Sequence, residues 1–158
     1  MRLTIAAVGR LKTEAERGLA ERYVDRTSKA GAALGFSIAV REIGESRSPR
    51  APDRRRDEAA GLARSVPDGA LIVALDEHGE TLSSEAFARK LQHWQGDGTA
   101  DVAFLIGGAD GLDPALVASA RMTLAFGAMT WPHQLVRIML AEQIYRAVTI
   151  LSRHPYHR

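Results

Sequence analysis

Residues 104–158 read FLIGGADGLDPALVASARMTLAFGAMTWPHQLVRIMLAEQIYRAVTILSRHPYHR. Two apolar runs in this stretch each break into a loop of small residues, Ile106-Gly107-Gly108-Ala109-Asp110-Gly111 and Phe126-Gly127-Ala128-Met129-Thr130. The second loop passes through Trp131-Pro132 into the longest helical pattern of the chain. Small-residue loops at the ends of buried strands are where α/β proteins hold ligands, because missing side chains let a ligand reach the backbone. This third of the chain is read as the functional site and the rest as its support.

Upstream of it, strands and helices alternate. Arg2–Val8 is an apolar strand closed by Gly9. Thr13 followed by Glu16 is a capping box for a helix that runs to about Ala30 and is closed by Gly31. Phe36–Val40 alternates with the period of a strand. The stretch 45–56 holds two prolines and five arginines with no periodic apolar face. It reads as a mobile surface loop entering a helix that Asp53 caps and that ends near Ser65. Ala70–Leu75 is continuously apolar, the mark of a strand covered on both faces of a parallel sheet. That strand is expected to end at Asp76, with Gly79 in the turn. Ser83 or Ser84 caps the next helix, which carries Phe87, Leu91 and Trp94 and stops at Gly96 and Gly98. Val102–Ile106 and Met122–Phe126 are the last strands, separated by a short helix begun by Asp113-Pro114. The alternation predicts one α/β domain, residues 1–158, on a largely parallel sheet.

Composition narrows the chemistry. No apolar run reaches the ~18 residues of a membrane span, and MRLTIAAVGR has too short an apolar core for a secretory signal. A cytoplasmic location is expected. The absence of cysteine excludes disulfides, thiolate nucleophiles and thiolate-bound zinc. The net charge is +2, yet the isoelectric point is about 9.3 because arginine dominates the bases. Arginine suits bidentate phosphate contacts. Arg47, Arg50, Arg54, Arg55 and Arg56 therefore have two readings, a solvated face and a contact with nucleic-acid phosphates.

The carboxy-terminal helix should begin with Pro132 in its first turn and continue to about Ser152. At ~100° per residue, Glu142, Arg146, Thr149 and Arg153 fall on one narrow polar stripe. Leu135, Ile138, Met139, Leu140, Ile144, Tyr145, Val148 and Leu151 cover most of the remaining surface. A helix this apolar is expected to be covered by its own sheet and by a second subunit, which predicts a homodimer. Arg137 interrupts the apolar sector, with Gln134 one turn before it. A buried guanidinium needs a partner. Both a structural ion pair to a carboxylate such as Asp76 or Asp110 and a place in the wall of a site fit it.

GGADGL lacks the spacing of a dinucleotide fingerprint, and no Lys-Ser/Thr follows to make a phosphate loop. There is no G-x-S-x-G elbow. The histidines lack i, i+4 spacing, and no metal site is expected. What remains is a loop whose backbone grips a neutral or cationic small molecule between apolar walls from Leu75, Ile106 and Met129. An adenosine-bearing cofactor fits that description, which by itself names none.

FLIGGADGL, MTWPHQLVRIMLAEQIYRA and the closing HPYHR together resemble the RlmH family of SPOUT-class methyltransferases, which modify pseudouridine in helix 69 of 23S rRNA. The resemblance covers the whole chain. It implies an α/β fold with a largely parallel sheet, helices on both faces and a deep trefoil knot at the carboxy end. It also implies an S-adenosyl-L-methionine site within the knot, an obligate homodimer, and the 70S ribosome as substrate. Matched by motif, Leu75, Gly108 and the loop Gly127, Ala128, Met129, Thr130, Trp131 and Pro132 should contact the cofactor.

The reaction so implied is methyl transfer to N3 of the pseudouridine, an imide nitrogen that must lose a proton. Candidate bases are His154 and His133, followed by Glu142, with His154 preferred. Arg153, Arg158 and Tyr156 are candidates to hold the flipped-out base or nearby phosphates, and the tail is placed to act on a partner subunit's cofactor. The arginines from Arg47 to Arg56 are the candidates for rRNA contact. Two alternatives stand beside this reading: a SPOUT enzyme for another rRNA or tRNA site, and a non-catalytic cofactor-binding ribosome assembly factor.

Overall fold

The computed structural model describes residues 1–154 and Tyr156. Five strands, β1 (Arg2–Val8), β2 (Ser37–Ile43), β3 (Leu71–Thr81), β4 (Asp101–Ile106) and β5 (Met122–Ala125), form one sheet in the order β2-β1-β4-β3-β5. Every pairing is parallel. Five helices connect and cover them: α1 (Glu14–Gly31), α2 (Ala51–Ser65), α3 (Ser84–Gly96), α4 (Pro114–Ser119) and α5 (His133–Leu151).

Strand alternation sorts the core into two layers. Leu3, Ile5, Ala7, Val73, Val102 and Phe104 face one side, where α1, α3 and α5 pack with Phe87, Leu91, Leu140 and Ile144. Ala6, Val8, Ala74, Ala103 and Leu105 face the other, under Leu62 of α2 and Leu112, with the partly buried Leu116 of α4. The interior strands are thus apolar at successive positions because both faces are covered.

The local signals act as expected in α1, where the Thr13 hydroxyl accepts from the Glu16 N–H and the Glu16 carboxylate accepts from the Thr13 N–H. Ser83 and Asp113 cap α3 and α4 in the same manner, each side chain accepting from an N–H of the first turn.

Several expectations are corrected. Asp53 does not cap α2: the helix begins at Ala51 with Pro52 in its first turn, and Asp53 pairs instead with Arg50 and Arg56. Proline fits there because the first helical N–H groups have no intrahelical acceptor. The preceding loop is fastened rather than mobile. The Ser46 and Ser48 hydroxyls both donate to Asp57, and the Ser46 N–H donates to Glu58. Helix α5 starts one residue later than expected, with Pro132 as its extended cap.

Strand β3 does not end at Asp76. It runs on to Thr81, and Leu124 of β5 stands opposite both Leu75 and Glu80, so the intervening residues bulge out of the ladder. Gly79 lies in that bulge against β5, where a Cβ would come within 2.6 Å of the Leu124 carbonyl carbon. Only glycine permits two backbones to approach so closely.

The apolar surface of α5 is covered in part by the chain itself. It is wedged between α1 and α3 on the sheet, and Leu135 is its one exposed apolar position. Thr149, placed on the polar stripe by periodicity, is buried and returns its hydroxyl to the Arg146 carbonyl. Arg153 lies beyond the helix, in a left-handed turn at φ 56°.

Candidate active site

Because all strands run one way, the carboxyl ends of β4, β3 and β5 emerge side by side, and a cavity of about 740 Å³ opens there. That is where open parallel sheets bind ligands. Leu75 and Ile106 form its floor, and the loops after β4 and β5 form its two sides.

The first loop is tight. Its Gly111 N–H donates to the Gly108 carbonyl, and a Cβ on Gly107 would meet the Gly111 backbone at 2.5 Å. Gly108 has Val8 and Glu58 behind it, 3.1 and 3.2 Å from where a Cβ would stand. The loop therefore presents backbone rather than side chains. The second loop is tied to the bulge of β3 by a 2.5 Å hydrogen bond from the Thr130 hydroxyl to Glu77.

Leu75, Gly108, Gly127, Met129, Thr130, Trp131 and Pro132 all line the cavity; Ala128 is exposed outside the wall. The wall also contains Asp76, Glu77 and His78, together with Arg55 and Gln134. Sequence reading missed the bulge residues because it ended the strand at Asp76. The acidic run Asp76-Glu77 just past an apolar strand was the available signal.

His133 is in the wall too. Burial, with Arg137 and Lys12 nearby, holds its imidazole below the ordinary histidine value, although Glu45 opposes this. It is therefore neutral at physiological pH and can accept a proton. Arg137, directly behind it, is 2 % exposed and pairs with Glu42, not with Asp76 or Asp110. Its other terminal nitrogen donates to the Val8 and Gly9 carbonyls at 3.1 and 3.0 Å. Arg137 thus fastens the start of α5 to the ends of β1 and β2.

The tail candidates form a second cluster. Glu142 accepts twice from Arg146, at 2.9 and 2.6 Å, and from the Tyr156 hydroxyl at 3.2 Å. The Tyr156 ring packs against Tyr145 at 4.6 Å and under the Arg146 guanidinium at 5.1 Å. Burial, then hydrogen bonding with Tyr23 and the charge of Glu142, raise the Tyr156 phenol above its ordinary value, so it remains a donor. His154 closes α5 through its N–H to the Thr149 carbonyl. Arg158 lies outside the described residues, as do Pro155 and His157 of the closing motif.

The second cluster runs from Glu142 in the middle of α5 to the residues beyond its far end, whereas His133 opens the helix. Its 19 residues span roughly 28 Å at 1.5 Å per residue. Within one chain, His154, Tyr156, Arg153 and Glu142 do not reach the cavity that His133 lines.

Residues 1–157 match the profile of the family described as "Predicted SPOUT methyltransferase". The chain belongs to the SPOUT methyltransferase family. Among its SPOUT relatives, "Ribosomal RNA large subunit methyltransferase H" of Rhizobium leguminosarum bv. trifolii (strain WSM2304) is 56% identical over 159 aligned residues, covering 100% of this chain and 99% of that protein. The protein of the same name from Rhizobium meliloti (strain 1021) is 57% identical over the same span. Among solved structures, a probable methylase family protein from Haemophilus influenzae Rd KW20 shares the fold at a TM-score of 0.51 and 10% identity, covering 99% of this chain and 70% of that one. As a SPOUT methyltransferase, the chain uses S-adenosylmethionine.

Proposed function

We propose that this chain methylates large-subunit ribosomal RNA in the cytoplasm, at N3 of a pseudouridine in helix 69 of the assembled ribosome, and that it does so as a homodimer. The observation that carries the reading is the cavity closed by both small-residue loops, in a chain more than half identical to proteins named for that RNA class.

The cavity suits the cofactor. Its volume lies within the ordinary range for small-molecule sites, about 300–1,000 Å³. Apolar Leu75 and Ile106 match an adenosine, the glycine loops offer backbone groups to its polar edges, and Asp76 and Glu77 complement cationic charge. Bound there, the cofactor supplies a methyl group activated by its sulfonium.

The separation along α5 supports a site shared by two copies. Met129, Trp131 and Leu135, the exposed large apolar side chains of the described residues, cluster at the cavity side and the adjoining start of α5. A second copy seated on them would cover this patch and bring its own tail to the cavity. The pseudouridine N3 proton would pass to an imidazole, His154 of the tail or His133 of the wall, leaving N3 free to accept the methyl group as the cofactor's carbon–sulfur bond broke to leave a neutral thioether. Tyr156 and Arg153 hold the base and stabilise the charge on its carbonyl oxygens. Of the arginine run, Arg47, Arg50 and Arg56 are exposed and available to RNA phosphates.

Methyl transfer from S-adenosylmethionine to ribosomes from a strain lacking the enzyme, with mass mapping of helix 69, tests substrate, site and activity together. Binding of the cofactor without transfer would favour the assembly-factor reading. Transfer to a different nucleotide would favour the other SPOUT reading.

A further inference from the structure

The five arginines between Arg47 and Arg56 are chemically alike in sequence but differ in their surroundings. Arg54 grips Asp110 side-on, Nε to Oδ2 at 2.7 Å and Nη2 to Oδ1 at 3.0 Å. Its remaining terminal nitrogen donates to the Ser48 and Pro49 carbonyls at 3.1 and 3.0 Å. One guanidinium thus joins the loop after β2, the first turn of α2 and the tip of the loop after β4. The pairing shows in both partners: hydrogen bonding to Asp110 raises Arg54, and hydrogen bonding to Arg54 lowers Asp110.

The placement of Asp110 makes this more than a surface pair. Gly107 and Gly108 fold the loop back on Gly111, so Asp110 stands at the turn of a backbone hairpin that walls the cavity. Glycines permit that hairpin but do not hold it in place, since they add no side-chain contacts. The fork on Asp110 fixes the tip, with Arg55 Nη1 also donating to the Asp110 carbonyl at 3.5 Å. Both partners are partly exposed, with side chains 29% and 26% accessible. An ion pair so placed contributes little to global stability, whereas a planar two-point contact defines orientation well.

We propose that Arg54 is a positioning residue for the cofactor, holding the Gly107–Gly111 hairpin through Asp110, and is not one of the RNA contacts. This rests on the proposed function of the cavity. It divides the arginine run by role: Arg54 serves the cofactor loop, while Arg47, Arg50 and Arg56 face outward.

The test uses the full chain and titrates S-adenosylmethionine by calorimetry into wild type, Arg54→Ala, Arg54→Lys, Asp110→Asn and the Arg54→Ala/Asp110→Asn double variant. Each single change should weaken binding about tenfold, and the double variant should be no worse than the weaker single, because the two residues act as one unit. Lysine should restore little, since it cannot make the fork. On ribosomes, KM for the cofactor should rise in parallel while kcat at saturating cofactor stays within about twofold, the pattern expected when ground state and transition state are weakened equally. The salt dependence of ribosome binding should keep the wild-type slope.

Unchanged cofactor affinity in Arg54→Ala, or additive losses in the double variant, would overturn the inference. So would a flatter salt slope at unchanged cofactor affinity, which would return Arg54 to the RNA contacts. If Arg54→Ala does not fold, the smaller change Asp110→Asn decides the matter on the same readouts. A wild-type chain that binds no S-adenosylmethionine would sink the proposed function as well, whereas normal wild-type binding with an unaffected Arg54→Ala would sink only this inference.

Discussion

Arg137 of α5 and Glu42 of β2, 95 residues apart in sequence, meet at 2.5 Å, with the guanidinium almost wholly buried and the carboxylate a third exposed. Burial pulls the arginine below its ordinary value, and Glu42 offsets part of that cost. Removing one member of a buried pair leaves the other charge uncompensated. Glu42→Gln keeps the shape and removes the charge. It should destabilise the chain by roughly 1–3 kcal/mol, the lower part of the range for broken buried pairs because Glu42 is partly solvated. Urea unfolding by circular dichroism measures this, and an unchanged midpoint would contradict a fastening role for Arg137 in α5.

Glu58 gives a pH-dependent expectation. Its residue is 6 % exposed, Oε2 has no hydrogen-bond partner, and burial raises the carboxyl above its ordinary value despite the Ser46 N–H. In the window between the unfolded value near 4.5 and the raised folded value, the native state binds more protons. Stability from this group is therefore full below the unfolded value and is lost as pH rises through the folded one. Glu58→Gln should stabilise the protein at pH 8, with the gain shrinking toward pH 4. A gain that grew on acidification would reverse the sign and reject the explanation.

The close approach at Gly79 sets a steric expectation. An alanine there would press its methyl into the backbone of Leu124 at 2.6 Å, where no side chain can swing aside. Gly79→Ala should cost roughly 1–3 kcal/mol or more, as overpacking does. Gly44→Ala, whose methyl would meet nothing within 4 Å and which is not at positive φ, supplies the control without the steric clash. Equal melting temperatures for Gly79→Ala and wild type would mean that β3 and β5 do not approach so closely.

The shared-site proposal predicts complementation between damaged chains. A chain carrying Gly107→Val, which cannot form the cofactor hairpin, should be inactive, and so should one carrying His154→Ala with Tyr156→Phe. Co-expressed, they should regain about a quarter of wild-type activity or more, because some mixed dimers contain one intact site. No recovery, with mixed dimers shown to form by native mass spectrometry, would confine the site to one chain.

Outward-facing arginines should behave as phosphate partners. Replacing Arg47 and Arg50 with serine should weaken ribosome binding and reduce the slope of log affinity against log salt by about one for each phosphate no longer neutralised. Cofactor affinity should not change. A preserved slope would return both to solvated surface.

Much of the fold was legible along the chain because its signals are local. Thr13 with Glu16, Ser83, and Asp113-Pro114 mark helix starts through bonds made within one turn. The buried strands show as apolar runs because both faces of a parallel sheet are covered. The two small-residue loops pointed to the cavity for the same reason, since glycine composition is itself the signal.

Tertiary structure decided whatever depends on residues distant in sequence. Periodicity showed that α5 must be covered, but not that α1 and α3 of the same chain do it. It showed that Arg137 needs a partner, but Glu42 could not be told from any other carboxylate until the sheet order placed β2 beside β1. The extension of β3 past Asp76 depends on β5 offering it a second register, which polar residues from Asp76 to Glu80 gave no reason to expect. The arginine run shows the division most plainly. Its composition alone established a cluster of phosphate-seeking side chains, and only the meeting of α2 with the loop after β4 set Arg54 apart, because a two-point fork on Asp110 exists solely when residues 56 positions apart are brought together by the fold.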